Sequence, residues 1–484
     1  MLKQTKIVAT VSDKRCDVDF MRDLFEAGMN VVRMNSAHLA QEGFDKIVAA
    51  VRAVSNRIGI LMDTKGPEVR TTVCDEPIAF KTGDVLRIQG APNQKTTKRI
   101  ISVNYTNLTD DLKIGDVLLI DDGELEFKVI KKDANYLTIE ALNDAVLGSR
   151  KSVNIPGVRI SLPSLTEKDR ANILYAIENK IDFIAHSFVR TRQDVLDIQK
   201  ILDEHNSPIK IIAKIENQEG VDNIDEILKV AYGIMIARGD LGIEVPQEKI
   251  PGLQRVLIRK CIAAKKPVIV ATQMLHSMIN NPRPTRAEVT DVANAIYYRT
   301  DAIMLSGETA YGKFPVESVR MMANIAREAE KTKLLENDIR VPFPDDDLDV
   351  TSFLAKQAVT SSTKLGVKAI VTDSYSGRTV RNLAAFRGKA PVLAICYKEE
   401  TTRALSLSYG VWAKYQKENS DPMQYLLDAL NKLLDKKMIE RTDLVAYLSG
   451  SLGAGSGTSF LEINKVERIL ASSKFQTPVF EKNR

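Results

Sequence analysis

Two short phrases place one basic and two acidic side chains directly after apolar runs. The phrase KIENQEG begins at Lys214 and contains Glu216, and the phrase ARGDLG contains Asp240. The runs before them, IKIIA and YGIMI, are predicted to be buried parallel strands, so the three side chains would emerge together at strand ends. Carboxylate oxygens suit Mg²⁺ or Mn²⁺, and an ammonium group can offset the negative charge of a phosphate or an enolate. The pattern favours a divalent-metal site for an anionic substrate, with a structural salt bridge as the alternative.

Similar apolar runs, each ending in polar or glycine residues, recur through the first two-thirds of the chain and alternate with helix-length amphipathic stretches. They are KIVATVS, NVVRMNSAH, IGILMDTKG, IDFIAHSFVR, IKIIAKIEN, YGIMIARGD, KPVIVATQM and DAIMLSGETA. Eight such units predict a closed (β/α)8 barrel, whose active site lies at the carboxyl ends of the strands. The polar tails of the runs would then converge on one site.

Two further regions follow other patterns. Between the third and fourth runs, short alternating strands are broken by Gly, Asn and Asp turns, as in a small antiparallel domain. After the boundary phrase VPFPDDDLDV, predicted strands and helices alternate as in an open, mostly parallel sheet. The fold class is therefore predicted as α/β: a (β/α)8 TIM barrel from residues 1–68 and 162–342, an inserted small β-barrel lid domain at 69–161, and a C-terminal open α/β domain at 350–484.

Composition narrows the class of protein. The 484 residues are 44% hydrophobic and 27% charged, with a formal net charge of +5, so neither a nucleic-acid nor a membrane partner is indicated. No secretory signal or spanning segment is recognisable, and we expect a cytoplasmic protein. The four cysteines are widely scattered, which favours reduced structural thiols over a zinc or catalytic site.

The order of the barrel phrases identifies a family. LMDTKGPEVRT, LPSLTEKD, SFVR, AKIENQEG, IMIARGDLGIE, ATQML, NPRPTRAEV, DVANA and IMLSGETA occur in the order in which pyruvate kinases carry them. The chain resembles that family over nearly its whole length. The resemblance implies transfer of the phosphoryl group of phosphoenolpyruvate to ADP, giving pyruvate and ATP, the last step of glycolysis.

The resemblance also implies a role for each residue at the strand ends. Lys214 would lie against the transferring phosphoryl group and the enolate oxygen as a fixed positive charge. Arg33 would bind the phosphoryl oxygens, with a smaller contact from Ser187. Thr272 would lie near the methylene carbon of the enolate and organise the water that protonates it; from sequence alone, a helix cap is the alternative.

A divalent cation would bridge the carboxylate and phosphate of the substrate. Glu216 and Asp240 would hold this Mg²⁺ or Mn²⁺, and the backbone NH groups of Arg238, Gly239 and Asp240 would bind the substrate carboxylate.

For the nucleotide, the resemblance implies Arg70, His38, Lys151 and Asp121, each of which could instead be a solvated surface charge. Because Lys151 and Asp121 belong to the inserted domain, closure of this lid would complete the ADP site and exclude water.

The family also uses K⁺. Asn35, Asp63 and the carbonyl of Thr64 match its ligands, and Glu68 is the residue type of potassium-requiring members. The second strand departs from the family pattern R-x-N-F-S-H-G: the liganding serine is replaced by Ala37, and Ser36 is expected to point to the opposite face. A bulge or a water could replace the missing ligand.

Two histidines also depart from the family pattern: His186 replaces a small residue before SF, and His276 replaces a glutamate after ATQML. A metal or pH-switch role is one interpretation, but neither has ligand-spaced partners, which favours local packing.

In the family, the C-terminal domain often binds a sugar-phosphate or nucleotide effector. A turn that opens a helix, together with the Gly-rich segment 449–459, is typical of a phosphate site, although such loops are frequent without a ligand. The candidate effector residues are Ser374, Ser376, Gly377, Arg378 and Thr379.

The resemblance further implies a homotetramer. Two other functions stay open: a paralogue that senses phosphoenolpyruvate or an effector with little turnover, and another metal-dependent enolate-forming enzyme such as a lyase. The lyase would share the carboxylates but would not explain Arg70 or Lys151.

Overall fold

The computed structural model describes residues 3–37, 39–332, 349–419, 421–450 and 457–472. Three sequence-based predictions fall partly or wholly on other residues. His38, residues 341–348 of the boundary phrase and residues 451–456 of the Gly-rich segment lie outside the described residues.

The strands are β1 (Lys6–Thr10), β2 (Val31–Asn35), β3 (Gly59–Asp63), β4 (Ile78–Phe80), β5 (Val85–Gly90), β6 (Ile100–Val103), β7 (Val117–Ile120), β8 (Leu125–Lys132), β9 (Leu137–Ala141), β10 (Ala145–Leu147), β11 (Val153–Asn154), β12 (Phe183–His186), β13 (Lys210–Ile215), β14 (Gly233–Ala237), β15 (Val268–Ala271), β16 (Ala302–Leu305), β17 (Ala369–Ser374), β18 (Val392–Cys396), β19 (Val411–Tyr415), β20 (Leu444–Ser449) and β21 (Phe460–Lys465).

The helices are α1 (Val18–Ala27), α2 (Gln41–Val54), α3 (Leu108–Asp111), α4 (Glu167–Glu178), α5 (Arg192–Glu204), α6 (Gln218–Asp222), α7 (Ile224–Val230), α8 (Arg238–Glu244), α9 (Ile250–Ala263), α10 (Arg286–Tyr297), α11 (Gly307–Ala310), α12 (Pro315–Thr332), α13 (Val350–Lys364), α14 (Arg378–Ala385), α15 (Glu399–Ala404), α16 (Pro422–Asp435) and α17 (Val466–Ser472), with short 3-10 turns at Gln247–Lys249, His276–Ile279 and Leu405–Leu407.

Eight parallel strands close into a barrel in the order β1, β16, β15, β14, β13, β12, β3, β2. Each of the eight apolar runs supplies one of them, so the predicted (β/α)8 barrel is confirmed. Side chains alternate between two cores: Phe183 and Ala185 of β12 fill the barrel interior, whereas Ile184 packs into the layer between strands and helices.

The chain leaves the barrel after β3 and builds a separate, strongly curled sheet before it returns at α4. Six strands pair in the order β11, β7, β8, β9, β5, β6, and β4 pairs with β10. This unit has its own apolar core, in which Phe80 and Phe127 meet edge to face with ring centroids 5.5 Å apart. We call this unit the lid.

The C-terminal sheet runs in the order β19, β18, β17, β20, β21, with only β21 antiparallel, as the prediction of an open and mostly parallel sheet requires. Buried ion pairs attach it to the barrel at the start of two strands. Arg403 binds Asp182 at 2.6 Å, and Arg387 binds Asp301 at 2.5 Å. In the described ranges, no helix combines the length and apolar character needed to cross a membrane.

Candidate active site

Buried charged and polar side chains meet at the carboxyl ends of β2, β3, β12 and β13. The Nε of Arg33 donates to Asp63 at 2.7 Å, and the Nζ of Lys214 lies 3.2 Å from the other oxygen of that carboxylate. Lys214 also contacts the hydroxyl of Ser187 at 2.8 Å and Glu216 at 2.9 Å. Parallel strands bring these residues together because their ends form one rim. Two cations and two carboxylates thus share one buried cluster.

The cluster keeps Lys214 charged. Burial alone would lower the pKa of its ammonium, but the carboxylates of Asp63 and Glu216 outweigh burial, and the pKa is raised. Burial opposes ionisation of Asp63 as well, yet Arg33 and Lys214 hold the pKa of this carboxyl below its ordinary value. The arrangement therefore presents a permanent positive charge at the barrel mouth.

Glu216 and Asp240 are the carboxylates suited to a divalent cation. Glu216 is almost fully buried, and one of its oxygens accepts a 2.6 Å hydrogen bond from the amide of Phe188. Burial, reinforced by the charge of Asp240, raises the pKa of Glu216 to about 7 despite Lys214. Two neighbouring carboxylates, one of them deeply buried, form an environment that fits a divalent cation. In the described part of the chain, no group of three or more His, Cys, Asp and Glu side chains is arranged to hold a metal ion. A divalent cation at Glu216 and Asp240 would therefore take its remaining oxygen ligands from the substrate.

Thr272 contacts the helix that carries Asp240. Its backbone has a φ of 70°, and its hydroxyl accepts a 2.8 Å hydrogen bond from the amide of Gly239 and donates to the carbonyl of Ala271. Thr272 is not the N-cap residue of the turn that follows it, which is Leu275, but its hydroxyl accepts from the first turn of the neighbouring helix α8. The Gly239 amide, expected to bind the substrate carboxylate, already has this acceptor.

Asn35, Asp63 and the carbonyl of Thr64 lie at adjacent strand ends, with Asn35 opposite Asp63 in the β2–β3 register. Each already accepts a hydrogen bond: Asn35 from the amide of Ala37, and the Thr64 carbonyl from Ser187 at 2.7 Å. Such oxygens can accept or coordinate a second partner. Ser36 is fully buried, and its hydroxyl has no hydrogen-bond partner. The residues fit a monovalent cation with three protein oxygens.

The nucleotide candidates form pairs of their own. Arg70 donates to Glu68 at 2.6 Å, and Lys151 pairs with Asp121 at 2.7 Å inside the lid. A cavity of about 420 Å³ separates lid and barrel, and Arg70, Glu68 and Asp240 are among the residues that line it. Asp122 and Ser152, the neighbours of this lid pair in the sequence, also line the cavity.

His186 is fully buried on the outer face of β12, and neither ring nitrogen has a hydrogen-bond partner. Burial lowers its pKa to about 4, so the imidazole is neutral near pH 7. His276 is exposed at the start of a 3-10 turn.

The effector candidates form the turn that opens α14. Gly377 has a φ of 80°, and its amide donates to the hydroxyl of Ser374 at 2.9 Å. Ser376 is exposed, Arg378 lies 3.5 Å from Asp349, and the hydroxyl of Thr379 lies 2.7 Å from that of Thr458. The described end of the Gly-rich segment thus meets this helix.

Sequence reasoning gave Arg238 only a backbone role, although its side chain joins the site. Its guanidinium donates to the carbonyl of Thr272 at 2.7 Å and binds Asp291 at 2.8 Å. Asp63 was assigned to K⁺ alone, whereas it also pairs with Arg33 and Lys214. The phrases DVANA and LMDTKG contain these aspartates, but a phrase does not reveal which cation a carboxylate meets.

The sequence and the fold match those of known proteins. Residues 2–319 match the family model described as pyruvate kinase, barrel domain, and residues 353–464 match that described as pyruvate kinase, alpha/beta domain. The chain belongs to the pyruvate kinase family. It is 45% identical over 469 residues to a pyruvate kinase of Borreliella burgdorferi, covering 96% of this chain and 98% of that one. A pyruvate kinase of Bacillus licheniformis is 42% identical, covering 98% of this chain and 82% of that one.

A solved structure gives the same result. The crystal structure of a pyruvate kinase from Cryptosporidium parvum superposes with a TM-score of 0.91 at 34% identity, covering 96% of each chain. The pyruvate kinase family, an enzyme family of the transferase class, is thus supported by sequence and by structure.

Proposed function

We propose that this chain transfers the phosphoryl group of phosphoenolpyruvate to ADP and produces pyruvate and ATP. The observation that carries the proposal is the buried Lys214 ammonium, in contact with Asp63, Ser187 and Glu216 at the strand ends. Phosphoryl transfer requires mainly positioning and charge neutralisation, and a fixed cation in a buried site supplies both.

Each side chain has a task in this proposal. Arg33, oriented by Asp63, would bind oxygens of the transferring group through its planar guanidinium. Lys214 would stabilise the charge that develops on that group and then on the enolate oxygen. Thr272, whose hydroxyl is fixed by Gly239, would organise the water that protonates the methylene carbon.

Glu216 and Asp240 would hold Mg²⁺ or Mn²⁺. When bound, such a cation supplies Lewis-acid charge that neutralises the substrate and the enolate. The raised pKa of Glu216 supports this, because burial and the charge of Asp240 disfavour its carboxylate despite Lys214, and a bound cation would offset both.

We also propose activation by K⁺ through Asn35, Asp63 and Thr64. Glu68, which pairs with Arg70 at 2.6 Å, is the residue type of potassium-requiring members of the family. A bulge or a water would replace the serine ligand that Ala37 lacks.

The lid at 69–161 would bring Lys151 and Asp121 to ADP and exclude water from the transfer. The resemblance to the family also supports three further proposals. They are regulation by a sugar-phosphate or nucleotide effector at the α14 turn, assembly into a homotetramer, and a cytoplasmic location. The domain limits 1–68 with 162–342, 69–161 and 350–484 belong to it as well.

The test is pyruvate formation from phosphoenolpyruvate and ADP with Mg²⁺, in potassium buffer and in a buffer of a bulky organic cation. Turnover that requires potassium supports both the kinase and its monovalent site. Equal turnover in both buffers supports the kinase and refutes the monovalent site. If neither buffer supports turnover but phosphoenolpyruvate still binds, the kinase assignment is refuted and a sensor function is favoured.

A further inference from the structure

Helix α8 carries a metal candidate of the proposed site, and the short strand β11 follows a nucleotide candidate in the lid. Helix α8 begins at Arg238, includes Asp240 and ends at Glu244. Strand β11 of the lid covers Val153–Asn154, and Lys151 lies three residues before Asn154. The two elements face each other across the cleft of about 420 Å³, and Asp240, Glu244 and Asn154 all line it.

A side-chain hydrogen bond joins them. The Nδ2 of Asn154 donates to the Oε1 of Glu244 at 3.2 Å. Glu244 lies four residues after Asp240, one helical turn along the same face, so the contact is made from the face that carries the metal candidate. Burial raises the pKa of Glu244, and the hydrogen bond from Asn154 opposes this shift.

The lid end of this contact is hydrogen-bonded to the neighbouring strand. Val153 pairs with Ile120 of β7, and the amide of Asp121, the next residue, donates to the carbonyl of Ser152 at 3.0 Å. Lys151 and Asp121 are therefore fixed to the strand that carries Asn154. A movement of Asn154 relative to Glu244 would displace both nucleotide candidates from Asp240.

A second contact between lid and barrel is weaker. Arg159 lies 3.4 Å from Glu219, but the arginine side chain is 84% exposed. Exposed ion pairs contribute little to stability, whereas a hydrogen bond to a partly buried carboxylate contributes more. At the end of the lid, Arg190 of the barrel also donates to the carbonyl of Ile160 at 2.9 Å. Of the contacts close to Lys151, the hydrogen bond between Asn154 and Glu244 should therefore do most to position the lid.

We propose that Asn154 and Glu244 form a latch that sets the lid over the barrel and thereby positions Lys151 for the nucleotide. Both are positioning residues that act through Lys151 and Asp121. The inference rests on the proposed function, since it concerns the lid of that site.

The experiment is a double-mutant cycle with Asn154→Ala and Glu244→Ala, read by steady-state kinetics and by hydrogen–deuterium exchange of residues 152–160 and 241–245. Each single variant should raise the KM for ADP about tenfold, as loss of a hydrogen bond to a charged group predicts. The KM for phosphoenolpyruvate should stay unchanged, and exchange should rise in both segments. The double variant should be no worse than either single variant, because both remove the same contact.

Conservative variants and controls sharpen the test. Glu244→Gln keeps an acceptor oxygen but not the charge and should raise the KM for ADP less than Glu244→Ala does. Asn154→Asp, which places a carboxylate opposite Glu244, should raise the KM for ADP at least as much as Asn154→Ala. This isosteric variant also serves if an alanine variant does not fold. Matched controls are Asn135→Ala in a lid turn and Glu248→Gln beyond α8, both at exposed positions.

Two results would refute the latch: additive effects in the double variant, or a raised KM for phosphoenolpyruvate with unchanged hydrogen–deuterium exchange in the lid. Either result would show that the two residues only stabilise helix α8. If the wild type forms no pyruvate, the proposed function fails, and exchange alone still decides the latch. If pyruvate forms but exchange is equal in all variants, only the latch fails.

Discussion

The amide of Gly239 donates a 2.8 Å hydrogen bond to the hydroxyl of Thr272, so the residue after β15 caps the helix that follows the neighbouring strand β14. Thr272 adopts a left-handed φ of 70°, which is uncommon for a β-branched residue. Arg238, the first residue of α8, stabilises this conformation by binding the Thr272 carbonyl. The hydroxyl is therefore fixed relative to Asp240.

Thr272→Ala should lower kcat for pyruvate formation about a hundredfold, the usual contribution of a group that organises proton transfer. Thr272→Ser keeps the hydroxyl and should retain most of the activity. The thermal midpoint of the alanine variant checks that it folds. Equal activity of the serine and alanine variants would contradict a role for the hydroxyl.

Lys214→Met should lower kcat about a thousandfold, because it removes a fixed charge from a buried site. It should also lower the free energy of unfolding by about 3 to 5 kcal/mol, since Asp63 and Glu216 lose a buried partner. Steady-state kinetics and chemical denaturation measure the two effects. Lys200→Met, at an exposed position of α5, is the matched control and should change neither. More than a tenth of wild-type activity in Lys214→Met would refute the assigned role.

His186 should make the fold sensitive to acid. Its folded-state pKa of about 4 lies below the ordinary value of 6.5, so its full contribution to stability is present above about pH 6.5 and is lost as pH falls through 4. The linkage corresponds to about 2 kcal/mol of lost stability by pH 5. The thermal midpoint between pH 7.5 and 5 should fall more in the wild type than in His186→Gln. Parallel curves would show that this histidine is not the cause.

Ala37→Ser should strengthen monovalent-cation binding by restoring the hydroxyl that the family pattern places there. We expect the K⁺ concentration for half-maximal activation to fall about tenfold. This change corresponds to roughly 1.4 kcal/mol of binding free energy from one added ligand. Thallium-205 NMR of Tl⁺ binding provides a readout that does not depend on turnover. Ala40→Ser, at the exposed position before α2, is the control. An unchanged Tl⁺ affinity would exclude position 37 from the site.

The fold was largely predictable from sequence because each barrel strand is a short apolar run with a polar end. The run IDFIAHSFVR shows both the strength and the limit of this pattern. It predicts β12 and places Ser187 at the rim, beside Lys214 in the structure. It does not reveal that His186 is buried without a hydrogen-bond partner, because that depends on the helices packed against the strand.

Contacts between distant segments could not be predicted from the sequence. Arg238 and Asp291 lie 53 positions apart, and Asn154 and Glu244 lie 90 apart. Only the closed barrel and the returning lid bring each pair together. The roles proposed for Arg33, Lys214 and Thr272 stay predictions, although the structure places the first two in one cluster through Asp63.

Phosphorus-31 NMR of the wild type, mixed with phosphoenolpyruvate, ADP, Mg²⁺ and K⁺, tests the central claim most directly. We expect the phosphoenolpyruvate signal to fall while the γ-phosphate signal of ATP rises in equal amount, with no inorganic phosphate, and we expect neither change within the same time in Lys214→Met. Release of inorganic phosphate without ATP, or no change in the wild type, would contradict phosphoryl transfer to ADP.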